Sequence, residues 1–407
     1  MKKIILLITA ISFFSCHKDD ASGDYYNVAV PLLMSKAEFR ASVEVQSPKP
    51  IEEAGKIYAY NDYIFVNDEF NGVHVIDNTN PSSPHAISFV KIPGNVDISV
   101  KNGYLYADSA TDLVVFDISD IHKIQVVSRL KDVFSVYDYK IPEEADYADF
   151  SSFNYENDIV VGWTIEKRET SNVLEGGGIA LFDMASASNG NVGVGGSLAR
   201  FQIFENYLYA VSSHEMSIIN ISDLAQPTLV STSYAGNNLE TMFEADGFLY
   251  LGSTDGMYIY SLDNPESPSH ISEFVHWTGC DPVVVDGDYA YLTIRGGNNC
   301  GDQESVLEVI DVSDKSTPTL VASYSMENPY GLGFKGDNLF VCDGESGLKV
   351  FDRTNPLDLK MIKTFSVQGA KDVIPLSNTL LMIGDKVLYQ YEYANNTFKL
   401  VSQYALN

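Results

Sequence analysis

A ring of four-stranded β-blades, an all-β propeller, is the fold that this 407-residue sequence predicts, on three observations. An apolar stretch ending in aspartate, followed by a polar turn often closed by proline, recurs along the chain. A tyrosine-rich stretch behind an Asn, Asp or Gly turn precedes most copies. The modal spacing is about 40 residues, the length of one propeller blade.

The clearest copies are Val73-His74-Val75-Ile76-Asp77, Leu113-Val114-Val115-Phe116-Asp117, Met216-Ser217-Ile218-Ile219-Asn220, Leu307-Glu308-Val309-Ile310-Asp311 and Leu348-Lys349-Val350-Phe351-Asp352. Weaker copies stand at 179–183, 257–261 and 387–391, which makes eight units. β-Branched and aromatic residues dominate the apolar stretches, so each unit reads as short strands joined by turns. An Asp or Asn side chain bonds its own backbone two residues on, and proline presets the turn dihedral, so the following strand starts cleanly. A closed ring is favoured over a solenoid because all-β units without end caps must protect their edges. Eight blades are preferred and seven are possible, since the third and eighth units depart most from the pattern. The propeller is expected to fill 37–407 as a single domain, with Ala37-Glu38-Phe39-Arg40-Ala41-Ser42-Val43 as an outermost strand that joins the last blade and closes the ring.

Charge narrows the partners. With 55 acidic against 26 basic residues the formal net charge is -29, which repels phosphate backbones and anionic lipid surfaces. Nucleic acid is therefore excluded as an expected partner, and membrane contact requires an anchor. The first residues supply one. Lys2 and Lys3 precede an apolar run over 4–14, and eleven residues at about 1.5 Å each cover only about half of a hydrocarbon core, so 1–15 reads as a secretory signal. Ser-Phe-Phe-Ser before Cys16 resembles a bacterial lipobox, which implies lipidation of the Cys16 thiol, with 16–36 as a tether. His17-Lys18-Asp19-Asp20 resembles the lysine-plus-two-acids export signal of Bacteroidetes-type surface lipoproteins. The expected address is the outer membrane, exposed at the cell surface, with the periplasmic side as the alternative.

The repeated phrase itself resembles the LVIVD repeat, a β-propeller repeat of bacterial surface and periplasmic proteins, over roughly residues 55 to 404. That resemblance implies a propeller and export, and no particular reaction.

Aligning the units on their tyrosine-rich strand places Lys56, Asp97, Ser151, Arg200, Thr241, Asp281, Gly331 and Asp372 at equivalent positions near the channel mouth. From this column Asp97, Arg200, Asp281 and Asp372 are candidate ligand-binding residues, and three converging aspartates make Ca2+ a possible ligand. No further cofactor is expected. Long connections at 166–178 and 295–305 share one face with 137–149 and with His276-Trp277. Long loops in a compact repeat are disproportionately functional, so Trp163, His276, Trp277, Arg295 and Tyr330 are candidate contacts. Cys280 and Cys300 flank one blade on that face, and a disulfide between them is expected in an oxidising compartment, with Cys342 a buried thiol in a strand. No nucleophile elbow, zinc-protease helix, phosphate loop or dinucleotide fingerprint is present, so no catalytic residue is assigned. The expected function is a non-catalytic surface module that binds or scaffolds a glycan, peptide or envelope protein. The alternative is a propeller hydrolase or lyase acting on an extracellular polymer.

Overall fold

A computed structural model describes residues 25–134, 141, 142, 144–169, 194–276, 282–296, 304–394 and 397–406. The chain divides into two compact units, each taken in its described part: Met1–Leu32, Ile141–Phe153 and Gly162–Gly178 form one, and Leu33–Lys140, Asn154–Val161 and Ile179–Asn407 the other. No described helix is long and apolar enough to cross a membrane.

The larger unit is built of successive four-stranded antiparallel sheets. Blade 1 shows the pattern: Ala54–Tyr60, Tyr63–Asp68, Gly72–Asp77 and His85–Lys91 pair in chain order from the inside outward. Blades 2 to 7 repeat it over 98–130, 201–234, 239–275, 283–325, 332–365 and 372–405. Each inner strand touches the inner strand of the next blade, and Asp372–Pro375 of blade 7 touches Ala54–Tyr60, so these contacts close a cycle. Of the eight sheets among the described residues, seven form this cycle. The eighth has three strands, Tyr147–Ala148, Tyr25–Ser35 and Asp158–Glu169. In sequence, Asp158–Glu169 falls within the stretch where the third unit was expected to make a blade. There the chain forms a 12-residue strand instead of a tight hairpin, and the weak copy at 179–183 lies outside the described residues.

The recurring aspartate does what its chemistry predicts. Asp77, Asp117, Asp311 and Asp352 each end a third strand and accept from the amide two residues on, at 2.9 Å in every case. Asn220 does the same for Ser222 at 2.8 Å. Hydrogen bonds from Thr79, Ser119, Ser313 and Thr354 hold the four carboxyls below the usual aspartate range. A bulge follows in the pairing of third and fourth strands in all seven blades, which turns the outer strand away and steepens the local twist.

Second strands supply the core. Their third residues, Phe65, Tyr106, Tyr209, Tyr250, Tyr291, Phe340 and Leu381, are all fully buried between neighbouring blades. Burying one such ring contributes roughly 1.5–3 kcal/mol. The tyrosines add direction: Tyr106 donates to the Leu224 carbonyl (2.9 Å) and Tyr209 to that of Pro265 (2.6 Å), each in the turn of the next blade.

The N-terminal segment differs from its expected role. Lys36–Ala41 is a short helix, because Ser35 caps the Glu38 amide while its hydroxyl donates to Glu38 Oε2 at 2.6 Å, a reciprocal cap that a strand reading overlooks. Phe39 buries its ring beside Ala110, Ile159 and Met34. Glu44–Gln46 then pairs with His85–Lys91, on the outer edge of blade 1 and not on the last blade. Blade 7 takes all four strands from the C-terminal stretch, so the ring closes without a shared strand, and the Ile51 amide donates to the Leu406 carbonyl (2.9 Å) across the junction. Tyr404 accepts from the Ala86 amide (3.2 Å), Gln390 donates to Asn78 (2.7 Å), and Ile57, Ile64 and Ile76 pack on Ile374, Leu381 and Leu388.

Candidate functional site

The middle of the ring is occupied by the protein's own chain. Val194–Gly195 adds a strand to the inner edge of blade 1, opposite Ala59 and Tyr58. Ser197 Oγ then accepts from the Leu332 amide of blade 6 (2.6 Å), and the backbone reaches Arg200 before entering blade 3 at Phe201. Ser197, Leu198, Ala199 and Arg200 are all buried. One segment thus touches blades 1, 6, 7 and 2 before it begins its own blade.

Around this crossing segment lies the polar column read from the sequence, and the structure brings three of its named candidates together. Asp97, 3% exposed, accepts from the Ile98 amide through Oδ1 (2.8 Å) and from the Arg200 and Phe201 amides through Oδ2, the latter at 2.9 Å. Its other neighbour is Lys56, whose Nζ stands 3.8 Å from Oδ2. Asp372, wholly buried, accepts from the Val373 amide (2.9 Å). Burial pushes the Asp372 carboxyl up to about 7, and the negative charge of Asp97 adds to the rise while Lys56 opposes it. Burial also raises Asp97, again against Lys56. Both oxygens of Asp97 and Oδ1 of Asp372 are therefore bonded to main chain, and the Asp97 bonds tie blade 2 to blade 3.

Other members of the column serve locally. The Thr241 hydroxyl accepts from the Gly252 amide (2.9 Å) inside blade 4. Gly331 bonds the Lys371 carbonyl (2.9 Å), with Asp372 against its α-carbon. Ser151 is not on an inner strand; it sits in a turn of the smaller unit, where its amide donates to Asp149. Asp281, Trp277, Cys280, Cys300 and Cys16 lie outside the described residues. Cys342 is a buried free thiol, as its strand position predicts, and burial pushes it well up. Trp163 packs edge-on to Phe150 at 5.6 Å in the smaller unit, on a strand and not in a loop. His276 neighbours Phe274 at 6.2 Å, and its amide donates to Asp255. Among the described residues no three His, Cys, Asp or Glu side chains converge to hold a metal.

The opening at the channel mouth is a pocket of about 140 Å3. Lys56, Lys371, Arg295, Tyr330, Asn67 and Glu69 line it, with Leu198 of the crossing segment. The Arg295 guanidinium lies over the Tyr330 ring at 4.2 Å, which fixes both loop-face candidates at the rim. Asn67 donates to Asn95 Oδ1 (2.8 Å). Sequence reasoning found Arg295 and Tyr330 but missed Lys371, Asn67 and Glu69 as pocket residues. Lys371 was recoverable, since it stands next to the column residue Asp372. The crossing segment left a trace too: glycines crowd Asn189-Gly190-Asn191-Val192-Gly193-Val194-Gly195-Gly196, where close backbone approach is expected.

With this geometry in hand, likeness to known proteins adds a class. Residues 53–91, 94–130, 195–234 and 280–326 match the LVIVD repeat, and each match covers a blade of the ring. No curated protein matches the chain by sequence. Among solved structures, the periplasmic gluconolactonase PpgL of Pseudomonas aeruginosa superposes with a TM-score of 0.55 at 10% identity, over 86% of this chain and 95% of that one. A functionally unknown protein of Desulfotomaculum acetoxidans gives 0.53 at 12% identity, over 84% and 96%. Sqt1 of Saccharomyces cerevisiae gives 0.51 at 8% identity, over 86% and 85%. The chain thus carries LVIVD repeats in four of its blades, and at such identities its likeness to the solved structures is one of β-propeller fold.

Proposed function

We propose that this protein is a lipid-anchored envelope protein whose propeller is a non-catalytic binding module for a glycan, peptide or partner protein. The observation that carries the reading is the division of labour at the channel. Its buried carboxylates Asp97 and Asp372 serve main-chain amides, while its open mouth gathers cations, an amide, an aromatic ring and the carboxylate of Glu69, groups that hold a polar ligand by charge and hydrogen bonds. A hydrolase or lyase working through Asp97, Arg200, Asp281 and Asp372 would need those carboxylates to meet substrate, and the two that are described are 3% and 0% exposed.

The anchor is argued from Lys2, Lys3, the apolar run and Cys16, and surface export from Lys18-Asp19-Asp20. Acylation contributes roughly 0.8 kcal/mol per buried methylene, enough for a multiply acylated Cys16 to hold a chain of this charge on a membrane. A Cys280–Cys300 disulfide would fix the 295–305 connection beside the pocket.

Two experiments test the reading. Cells fed labelled fatty acid are expected to label the wild-type protein and not the Cys16→Ser variant, and protease added outside intact cells is expected to shave it. Full-length protein in detergent, screened by thermal shift against envelope polysaccharides and peptides with product analysis of every hit, is expected to give stabilisation without turnover. Turnover lost on changing Asp372 would overturn the binding reading in favour of the enzyme.

A further inference from the structure

We infer that the pocket at the channel mouth receives a small hydroxy-carboxylate, such as a sugar acid, with Lys56, Lys371 and Arg295 meeting its carboxylate and Glu69 and Asn67 its hydroxyls. This rests on the reading of the propeller as a binding module and gives that module a ligand class.

Composition makes the pocket unusual. The chain carries 26 basic residues against 55 acidic ones, yet three of the cations line one pocket of about 140 Å3. Lys56 is the most committed of them. Its side chain is 11% exposed, its ammonium has no hydrogen-bond partner, and the nearest carboxylate stands 3.8 Å away with its own lone pairs given to amides. A buried ammonium in that state gains most from an incoming oxygen. The Arg295 guanidinium stands over the Tyr330 ring at 4.2 Å, which restrains the side chain at the rim, and a guanidinium fork suits a planar carboxylate.

Size and polarity choose among anions. A cavity of about 150 Å3 holds a ring of six heavy atoms, so this pocket takes a carboxylate and the two or three carbons behind it. Glu69 only accepts hydrogen bonds when ionised, so it opposes a bare phosphate or sulfate but accepts from hydroxyls placed beside a carboxylate. At about 140 Å3 the pocket is too small for the alkyl chain of a fatty acid. The pocket is partly open, so a longer acidic glycan would enter by its charged end.

Titration calorimetry of the full-length protein in detergent tests this with three probes: glucuronate, glucose and inorganic phosphate. Glucuronate is expected to bind, with affinity falling as salt rises, and glucose is not. Lys371→Gln, on a partly exposed side chain, is expected to weaken glucuronate by about tenfold without unfolding the ring. Lys56→Met is expected to weaken it further, and its melting curve shows whether the fold survives. Phosphate binding as tightly as glucuronate, glucuronate binding indifferent to Lys371→Gln, or no binding of any probe would each overturn the assignment. If no small acid binds while a polysaccharide or peptide still stabilises the protein without turnover, the ligand class fails and the binding module stands.

Discussion

The carboxylate of Asp372 lies against the backbone of Gly196: a β-carbon built on that glycine would stand 1.9 Å from Oδ2. The crossing segment and the inner strand of blade 7 are thus fitted to one another at a single point where nothing larger than hydrogen is admitted. Gly196→Ala is expected to lower stability by about 1–3 kcal/mol, the usual cost of overpacking a filled site. Asp372→Ala in the same chain should recover part of that loss. Urea midpoints of the two single variants and the double variant measure the coupling, and strict additivity would refute the contact.

Stability should fall as pH rises through the acid-to-neutral range. Burial pushes the Asp372 carboxyl up to about 7, above the ordinary aspartate value of 3.8, so between those values the folded state keeps a proton that the unfolded chain has lost. Its stabilising contribution is full below about 3.8 and is gone once the pH passes about 7. Asp108, pushed up to about 7 mainly by desolvation, acts in the same direction. Below that window the opposite group takes over. Desolvation raises Asp68, but hydrogen bonds from His74 and the Glu53 and Glu52 amides outweigh it and hold the carboxyl at about 2, so its contribution is lost on acidification. Melting temperatures from pH 4.5 to 8 should decline in the wild type and decline less in Asp372→Asn.

Asp97 is expected to be the costliest single carboxylate to remove. Asp97→Ala strands the amides of Ile98, Arg200 and Phe201 and leaves Lys56 without its counter-charge, a loss of about 3–5 kcal/mol for a broken buried pair. Asp97→Asn should cost less, because one oxygen remains to accept. Chemical denaturation of both variants checks the order.

Arg40 pins the N-terminal helix to blade 2. It donates to both oxygens of Asp112, at 2.7 and 2.8 Å, and to Asp132 at 2.9 Å, while Arg129 shares Asp112 at 2.9 Å. Arg40→Ala is expected to cost about 1–3 kcal/mol and to speed proteolysis within 36–46 several-fold, uncovering the outer edge of blade 1. Limited proteolysis followed by mass analysis reads the site of the first cut.

Much of the ring was legible because its grammar is local. An aspartate that bonds the amide two residues on needs no distant partner, so Asp77, Asp117, Asp311 and Asp352 declare their turns in any context, and the strands on either side follow. The column of polar residues was legible as a register, and Asp97, Arg200 and Asp372 do meet. Their task was not legible, since it depends on residues 194–200 coming back from about a hundred positions away to occupy the space where a ligand was expected. Lys371 and Glu69 belong to different blades, and only closure of the ring makes them neighbours in one pocket. The segment 37–43 departs from the expected strand for a local reason: Ser35 and Glu38 carry the cap that makes a helix.

The crossing segment also bears on the order of assembly. Gly195 pairs with Tyr58, Ser197 with Leu332, and Gly196 abuts Asp372, so the hub joins positions 137, 135 and 176 residues apart. The full set of links cannot form until blades from both ends of the polypeptide stand side by side. Hairpins of individual blades can fold as they emerge, whereas locking of the hub must wait for the last blade and then engage at once. A chain shortened by its final blade would consequently keep its local hairpins yet lack a finished axle.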